Sequence, residues 1–204
     1  IRGSALKALE GDKEWQDKAA EMVGKMGIAE KATEMRGTDP GAADNRNWSD
    51  IFRQPNNDKV GIAGFTHRDG PRGVNLDAPI HSTTTAHAKS TVFPVPMARG
   101  AAWDIDLEYR IGQAIGDEMA AAKQTVMLGP TINLLRHPLW GRAQETYGED
   151  PYQLGRLGTA HVAGVQEYVI ACPKHFLGNN IENGRATKDV KVDEACLGDD
   201  GKPS

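Results

Sequence analysis

The sequence has few cysteines, and their spacing limits the chemistry that the chain can carry. Its 204 residues include only Cys172 and Cys196, which do not form a Cys-x-x-Cys pair. This spacing gives no support to a zinc site or to a thioredoxin-like redox motif. We expect no disulfide between the two, because Cys172 ends a segment that we predict to be a buried strand.

Long apolar runs and an excess of basic residues are also missing. No run approaches the roughly 20 apolar residues that cross a membrane, so we expect no membrane partner. With 24 Lys and Arg against 28 Asp and Glu, the net charge of −4 offers no basic surface for nucleic acid. No glycine-rich phosphate loop follows any predicted strand, which leaves a nucleotide-binding function without support. The chain shows no signal peptide, but it opens Ile-Arg-Gly without an initiator methionine, so the compartment stays open.

Apolar residues recur at helical spacing in several segments. The predicted helices are 15–26, 29–35, 104–119 and 150–166. The pair Asp150-Pro151 marks the start of the last helix, because Asp accepts from the free N–H groups of a first turn and Pro needs no partner there. Asp104, Asp106 and Glu108 place negative charge in the first turn of the third helix, where the helix dipole favours it.

Three short segments are predicted to be strands, namely 61–66, 125–128 and 168–172. The last is apolar and partly β-branched, which indicates a strand buried on both faces. Helices alternate with these strands, so we predict a parallel sheet with right-handed crossovers. Residues 38–58 are polar and are predicted to form a loop. His81 and His87 lie in a Thr-rich segment that we interpret as a solvated loop rather than a metal site.

Polar side chains crowd the two ends of the last helix-strand pair. Before it, residues 141–152 form a glycine-punctuated polar segment that is predicted to be a loop. After it, Pro173 ends the strand and a dense polar set follows at once. That set is Lys174, His175, Asn179, Asn180, Glu182 and Arg185. Loops that follow scaffold strands are where α/β proteins carry their binding and catalytic residues.

These residues and several upstream motifs resemble glycoside hydrolase family 3, the β-glucosidase and exo-glucanase type. The resemblance covers about residues 15–197. Its motifs are Asp69-Gly-Pro-Arg-Gly-Val74, Phe93-Pro-x-Pro96, Ala101-Ala-Trp-Asp104, Asn133-x-x-Arg136, Gly141-Arg-x-x-Glu145, Gly148-Glu-Asp-Pro151 and Lys174-His-Phe-x-Gly-Asn-Asn-x-Glu-x-x-Arg185.

The resemblance implies an α/β fold, the first half to two-thirds of a (β/α)₈ barrel of the triosephosphate isomerase type. A complete barrel needs about 250 residues. We therefore expect residues 1–204 to be an incomplete N-terminal barrel domain, without the later strands and the C-terminal domain. Half a barrel exposes strand edges and apolar helix stripes, so we expect further chain or a partner, such as a second copy, to cover them.

The resemblance also implies a set of sugar-binding residues. Asp69 is the acceptor for two sugar hydroxyls, and the expected donors are Arg142, Lys174, His175 and Arg185. A carboxylate suits that role, because its two oxygens accept from two neighbouring O–H groups. Glu145, Glu149 and Glu182 are expected to brace these residues rather than to act as acids. Purely structural roles stay open, with Asp69 capping its turn, Arg142 pairing with a loop glutamate and Arg185 solvated.

The expected activity is hydrolysis of terminal β-D-glucosyl or similar residues from small carbohydrates with retention, without metal or cofactor. Retention needs a carboxylate nucleophile and a carboxylic acid donor, and neither is identified here. Trp48-Ser49-Asp50 superficially matches the family's nucleophile motif, but it lies upstream in a polar loop instead of after a strand. A non-catalytic sugar-binding or scaffold fragment is therefore the alternative.

Overall fold

The computed structural model describes residues 13–35, 54, 56–76 and 89–193. The segment Trp48-Ser49-Asp50, both His81 and His87, and Cys196 lie outside the described residues, as does most of the predicted loop 38–58.

Five α-helices and three strands follow one another in the described chain. They are α1 (Lys13–Gly24), α2 (Ile28–Glu34), β1 (His67–Asp69), α3 (Pro96–Ala101), α4 (Ile105–Ala121), β2 (Val126–Leu128), α5 (Pro151–Val165) and β3 (Ile170–Ala171). A 3₁₀ turn at Ala143–Glu145 lies between β2 and α5. None of these described helices is both long and apolar enough to cross a membrane.

The three strands form one parallel sheet in the order β1-β2-β3. Asp69 pairs with Leu128, and Met127 pairs with Ala171. The segment with α3 and α4 joins β1 to β2, and α5 lies on the connection from β2 to β3. The predicted alternation of helices with parallel strands is therefore confirmed, and all three carboxyl ends meet at one edge of the sheet.

The two long helices start where the sequence predicts. The Asp104 carboxylate accepts from the Leu107 N–H at 2.8 Å, and the Asp150 carboxylate accepts from the Gln153 N–H at 2.6 Å. Each bond satisfies one of the N–H groups that a helix start leaves unpaired. The capping residues thus fix where α4 and α5 leave their loops.

Helices α4 and α5 pack through glycines as well as through the apolar core. A Cβ atom on Gly112 would lie 2.4 Å from the His161 carbonyl oxygen, and one on Gly164 would lie 2.2 Å from the Tyr109 carbonyl oxygen. The core beside them contains Val74, Ile111, Ile115, Met119, Met127 and Val165. This core joins α4, β2 and α5, the elements that carry the loops described below.

Two strand predictions are wrong in detail. The first strand is His67–Asp69 and not 61–66. The sequence did not reveal it, because its half-buried polar side chains show none of the alternation that marks a strand. The last strand is not buried on both faces, since Ile170 is 47% exposed and the Cys172 thiol is free and exposed. Among the described residues β3 pairs only with β2, so it is a sheet edge.

One element was missed. Helix α3 occupies residues that the sequence marks only as a proline-rich approach to Trp103, and Pro96 is its first residue. Proline is favoured at a first helical position, and six residues are too few to show a helical period. Its buried face includes Arg99 and Gly100.

Candidate functional site

A cavity of about 330 Å³ lies at the carboxyl ends of the strands. Its lining residues come from the turn after β1, from the loop after β2 and from the exit of β3. They are Asp69, Gly70, Pro71, Arg72, Gly73, Asn75, Arg142, Gln144, Glu145 and Lys174. Three of the five residues predicted to bind a sugar, namely Asp69, Arg142 and Lys174, thus share one cavity.

An ion pair between Asp69 and Lys174 joins two walls of this cavity. The Lys174 ammonium donates to the Asp69 carboxylate at 2.6 Å, and the two side chains are 15% and 42% exposed. The Lys174 backbone is held by the loop after β2. Its N–H donates to the Pro130 carbonyl at 2.9 Å, and its carbonyl accepts from the Ile132 N–H at 2.8 Å. The pair leaves the more exposed carboxylate available to further donors from the cavity.

The turn that carries Asp69 depends on glycine. Gly73 has φ +126, and a Cβ atom there would lie 2.0 Å from the Thr91 carbonyl oxygen. Only glycine combines this backbone conformation with so close an approach. The Asp69 carbonyl accepts from the Asn75 N–H at 2.9 Å, so the chain folds back beside the carboxylate.

Arg142 and Glu145 form a two-fold contact in the 3₁₀ turn. Arg142 Nε donates to Oε1 at 2.9 Å and its terminal nitrogen donates to Oε2 at 2.6 Å. Burial by itself would lower the pKa of Arg142, but the hydrogen bonds and charge of Glu145, with the charges of Glu182 and Asp69, raise it. The predicted bracing by Glu145 and the position of Arg142 in the cavity wall therefore coexist.

His175 lies beside the cavity rather than in its lining. Its backbone N–H and its Nδ1 both contact Asn133 Oδ1, at 2.9 and 2.7 Å. An amide oxygen only accepts, so Nδ1 carries the hydrogen and Nε2 keeps its lone pair. Burial, followed by the charges of Arg142 and Lys174, lowers the pKa of His175 to about 4. The imidazole is consequently neutral at neutral pH and offers an acceptor, not the donor that was expected.

The remaining predicted residues lie farther out. Arg185 donates to Glu182 at 2.6 Å, is 57% exposed and does not line the cavity. Glu182 packs against the start of the Arg142 loop, since a Cβ atom on Gly141 would lie 3.2 Å from its Cβ. Glu149 is exposed and lies outside the lining. The charge of Arg185 nevertheless contributes to the lowered pKa of His175, so this outer pair belongs to the same electrostatic environment.

Both carboxylates in the cavity wall are already paired with cations, Asp69 with Lys174 and Glu145 with Arg142. Each carboxylate keeps further oxygen lone pairs that can accept hydrogen bonds. No group of three or more His, Cys, Asp or Glu side chains within the described part of the chain could hold a metal ion. What the cavity presents is a set of fixed donors and acceptors suited to a polyhydroxylated ligand.

A sequence model described as the glycosyl hydrolase family 3 N-terminal domain matches residues 76–201. The chain belongs to glycoside hydrolase family 3. The described helices and parallel sheet are accordingly part of a family 3 α/β barrel, as the sequence predicts.

Curated and solved relatives agree with this assignment. The thermostable beta-glucosidase B of Acetivibrio thermocellus is 38% identical over 144 residues, which are 69% of this chain and 19% of that protein. The exo-alpha-(1->6)-L-arabinopyranosidase of Bifidobacterium breve is 33% identical over 141 residues, 67% of this chain and 19% of that protein. The structure of beta-glucosidase 3B from Thermotoga neapolitana in complex with glucose has a TM-score of 0.69 at 31% identity, covering 81% of this chain and 24% of that one. The chain thus spans about a fifth of the length of the curated relatives it matches.

Some residues of the cavity and its surroundings were not predicted as site residues. Arg72, Asn75 and Gln144 line the cavity, and Asn133 orients His175. The signal for Asn133 was present in the sequence, because it follows a predicted strand within a family motif. Arg72 also lies within a family motif, whereas the roles of Asn75 and Gln144 follow from the shape of their turns, which the sequence pattern does not define.

Proposed function

We propose that the protein carrying this chain hydrolyses terminal β-D-glucosyl or similar residues of small carbohydrates with retention, and that this segment supplies the sugar-binding shell. The Asp69–Lys174 ion pair carries the proposal. It places an acceptor carboxylate and a donor ammonium 2.6 Å apart at the carboxyl ends of two parallel strands. Relatives that are named β-glucosidases, and a solved neighbour in complex with glucose, support the choice of substrate class.

In this proposal each side chain has a distinct role. Asp69 accepts from two neighbouring sugar hydroxyls, while Arg142 and Lys174 donate to others. Neutral His175 orients a further hydroxyl through Nε2, and Arg185 closes the outer side of the shell. Glu145 and Glu182 hold the cations in position, and we assign Glu149 to the bracing of the loop. Contacts of this kind accelerate reaction when they tighten as the ring flattens towards the oxocarbenium-like transition state.

We further propose that residues 1–204 are part of an N-terminal barrel domain and that further chain supplies the later strands, the nucleophile and the acid. A retaining mechanism needs two carboxyl groups about 5 to 5.5 Å apart. The two carboxylates of the described cavity are each held by a cation, and in this proposal both serve to bind and to brace. The reaction needs no metal in this scheme.

The proposal is tested with the intact protein and aryl β-D-glucosides, β-D-xylosides and α-L-arabinopyranosides. We expect release of the aryl group from at least one of them with retention at the anomeric carbon. Substituting Asp69→Asn removes a charged acceptor worth about 1.5 to 3 kcal/mol per hydrogen bond, so kcat/KM should fall roughly 100-fold. Asp117→Asn makes the same change at an exposed position of α4 that is outside the cavity lining, and should leave kcat/KM within two-fold.

The second candidate is a non-catalytic sugar-binding protein. The lining of the cavity favours it, because the described residues contribute only two carboxylates to it and both are in ion pairs. An intact mass near 22.0 kDa, together with glucose binding and no turnover of any aryl glycoside, would select this candidate over hydrolysis. A much larger mass with turnover would select the hydrolase.

A further inference from the structure

A fully buried carboxylate on α4 lies behind the cavity and has no place in the chemistry proposed above. Glu108 is 1% exposed. Its Oε1 accepts from the Tyr147 hydroxyl at 2.6 Å and lies 2.7 Å from His161 Nδ1, while its Oε2 lies 3.2 Å from Arg99 Nε. One negative charge therefore holds a buried cation and two ring side chains from three different segments.

Two of these partners lead directly to segments that line the cavity. A terminal nitrogen of Arg99 donates at 3.1 Å to the carbonyl of Pro71, in the turn that follows Asp69. Tyr147 follows the 3₁₀ turn that carries Arg142, and its backbone rests on α3. A Cβ atom on Gly100 would lie 2.0 Å from the Tyr147 carbonyl oxygen. Glu108 is thus connected to the turn after β1 and to the loop after β2.

The charge states around Glu108 suit this arrangement. Burial raises the pKa of Tyr147 well above its usual value, so the phenol stays protonated and donates. Burial lowers the pKa of His161 more than the neighbouring Glu108 raises it, so the imidazole is neutral. Its Nδ1–H faces the carboxylate. Arg99 is then the cation that balances Glu108.

Stability alone does not account for a buried ion pair of this kind. Removing two charges from water is expensive, and well-packed apolar residues of similar volume are often as stable or more so. Some polar atoms are left unsatisfied as well, since Arg99 Nε and Nη1, Glu108 Oε2 and His161 Nε2 have no hydrogen-bond partner within the described part of the chain. The Arg99–Glu108 contact is therefore an ion pair without a hydrogen bond. What the ion pair supplies is a connection, because the Arg99 guanidinium contacts Glu108 and donates a hydrogen bond to Pro71 at once, which no apolar residue can do.

We propose that Glu108 is a positioning residue that, through Arg99 and Tyr147, fixes the Asp69 turn and the Arg142 loop relative to each other. The sugar cavity is then formed before a sugar arrives. Preformed cavities bind more tightly, because the entropy cost of ordering the loops does not reduce the free energy of binding. The link to sugar binding rests on the proposed function, whereas the mechanical link between the two segments does not.

The test compares four forms of the intact protein: wild type, Glu108→Gln, Glu108→Gln with Arg99→Met, and Val165→Ala. Glu108→Gln keeps the acceptor oxygen for Tyr147 but leaves Arg99 without a counter-charge. Adding Arg99→Met removes that cation and also the contact with Pro71. Val165→Ala truncates a fully buried side chain of the core and makes none of the network's contacts, so it controls for loss of stability. Melting temperature, glucose Kd and amide hydrogen exchange of residues 70–76 and 141–149 are measured for each.

We expect glucose Kd to rise about 10-fold in Glu108→Gln, with faster exchange in both segments together. Val165→Ala should lower the melting temperature and leave glucose Kd within two-fold. The double variant should melt above Glu108→Gln yet keep the 10-fold weaker binding. Recovery of glucose binding along with stability in the double variant would overturn the proposal, as would equal weakening in Val165→Ala.

The exchange measurement separates this proposal from the proposed function. Should wild type bind no glucose and cleave no aryl glycoside, the proposed function fails, and the linkage is decided by exchange alone. Joint acceleration of residues 70–76 and 141–149 in Glu108→Gln, without it in Val165→Ala, supports the linkage. Unchanged exchange in either segment overturns it.

Discussion

Two helical glycines, one at the contact between α4 and α5 and one away from it, should respond in opposite ways to substitution by alanine. A Cβ atom on Gly112 would lie 2.4 Å from the His161 carbonyl oxygen, whereas ordinary contacts of a Cβ atom begin at 3.4 Å. In the substitution Gly112→Ala, α5 must therefore recede by about 1 Å, since the obstacle is backbone and cannot rotate away. Gly155 lies on α5 with no atom within 4 Å of its would-be Cβ, so Gly155→Ala meets no obstacle.

The net effects follow from two terms. Alanine is favoured over glycine inside a helix by about 1 kcal/mol in both cases. At Gly112 this gain is opposed by overpacking, which for a rigid obstacle lies near the upper end of about 1 to 3 kcal/mol. We therefore expect Gly112→Ala to destabilise the fold by about 2 kcal/mol and Gly155→Ala to stabilise it by up to about 1 kcal/mol.

The pair is measured by thermal and chemical unfolding of the intact protein, with the first transition followed by circular dichroism. At roughly 2 to 4 °C per kcal/mol, the melting temperatures of the two variants should differ by about 6 to 12 °C. The reasoning fails if Gly112→Ala melts at or above Gly155→Ala. That result would mean that the close backbone approach between the helices does not exist in solution.

Two further perturbations test individual sites. The pKa of His175 is lowered to about 4, while an unfolded histidine titrates near 6.5. Between pH 6.5 and 4 only the unfolded chain takes up a proton at this histidine. The free energy of unfolding should therefore fall by about 1 to 2 kcal/mol as the pH is lowered over this range, after allowance for solvent screening. His175→Gln should remove this part of the pH dependence. A resonance assigned to His175 that titrates near 6.5 in the folded protein would contradict the lowered pKa. Asp150→Ala should destabilise α5 by about 1 kcal/mol, because the bond from the Gln153 N–H at 2.6 Å is lost. Asp150→Asn should retain most of that stability, and equal losses in both variants would show that capping is not the cause.

The parts of the fold that the sequence predicts are those with local causes. Helix α5 was located by its capping Asp150, α4 by the acidic residues of its first turn, and both by apolar spacing; both starts are confirmed. Strand β1 was misplaced, because His67, Arg68 and Asp69 become a strand only through pairing with β2. The strand that pairs with β1 is distant in the sequence, so no local pattern predicts β1. The sequence also did not predict that Ile170 is exposed, because exposure depends on which elements pack against β3 and not on the apolar character of the strand itself.

The site divides in a similar way. The motifs identified Asp69, Arg142 and Lys174, and the structure brings them to one cavity. They did not predict the neutral state of His175, which arises from burial beside two cations contributed by separate loops. Glu108 was interpreted only as a favourable charge in the first turn of a helix. Its burial against Arg99 and His161 depends on how α3, α4 and α5 pack, which the spacing of apolar residues does not specify.

The ion pair in the cavity can form only after most of the described chain has been synthesised. Asp69 and Lys174 are separated by 105 positions. Contacts between such distant residues form late, because the long intervening chain must first be ordered. At a synthesis rate of about 5 to 20 residues per second, Lys174 leaves the ribosome roughly 5 to 20 s after Asp69. During that interval the nascent chain carries Asp69 without Lys174, so the end of β1 is made before its ionic partner exists.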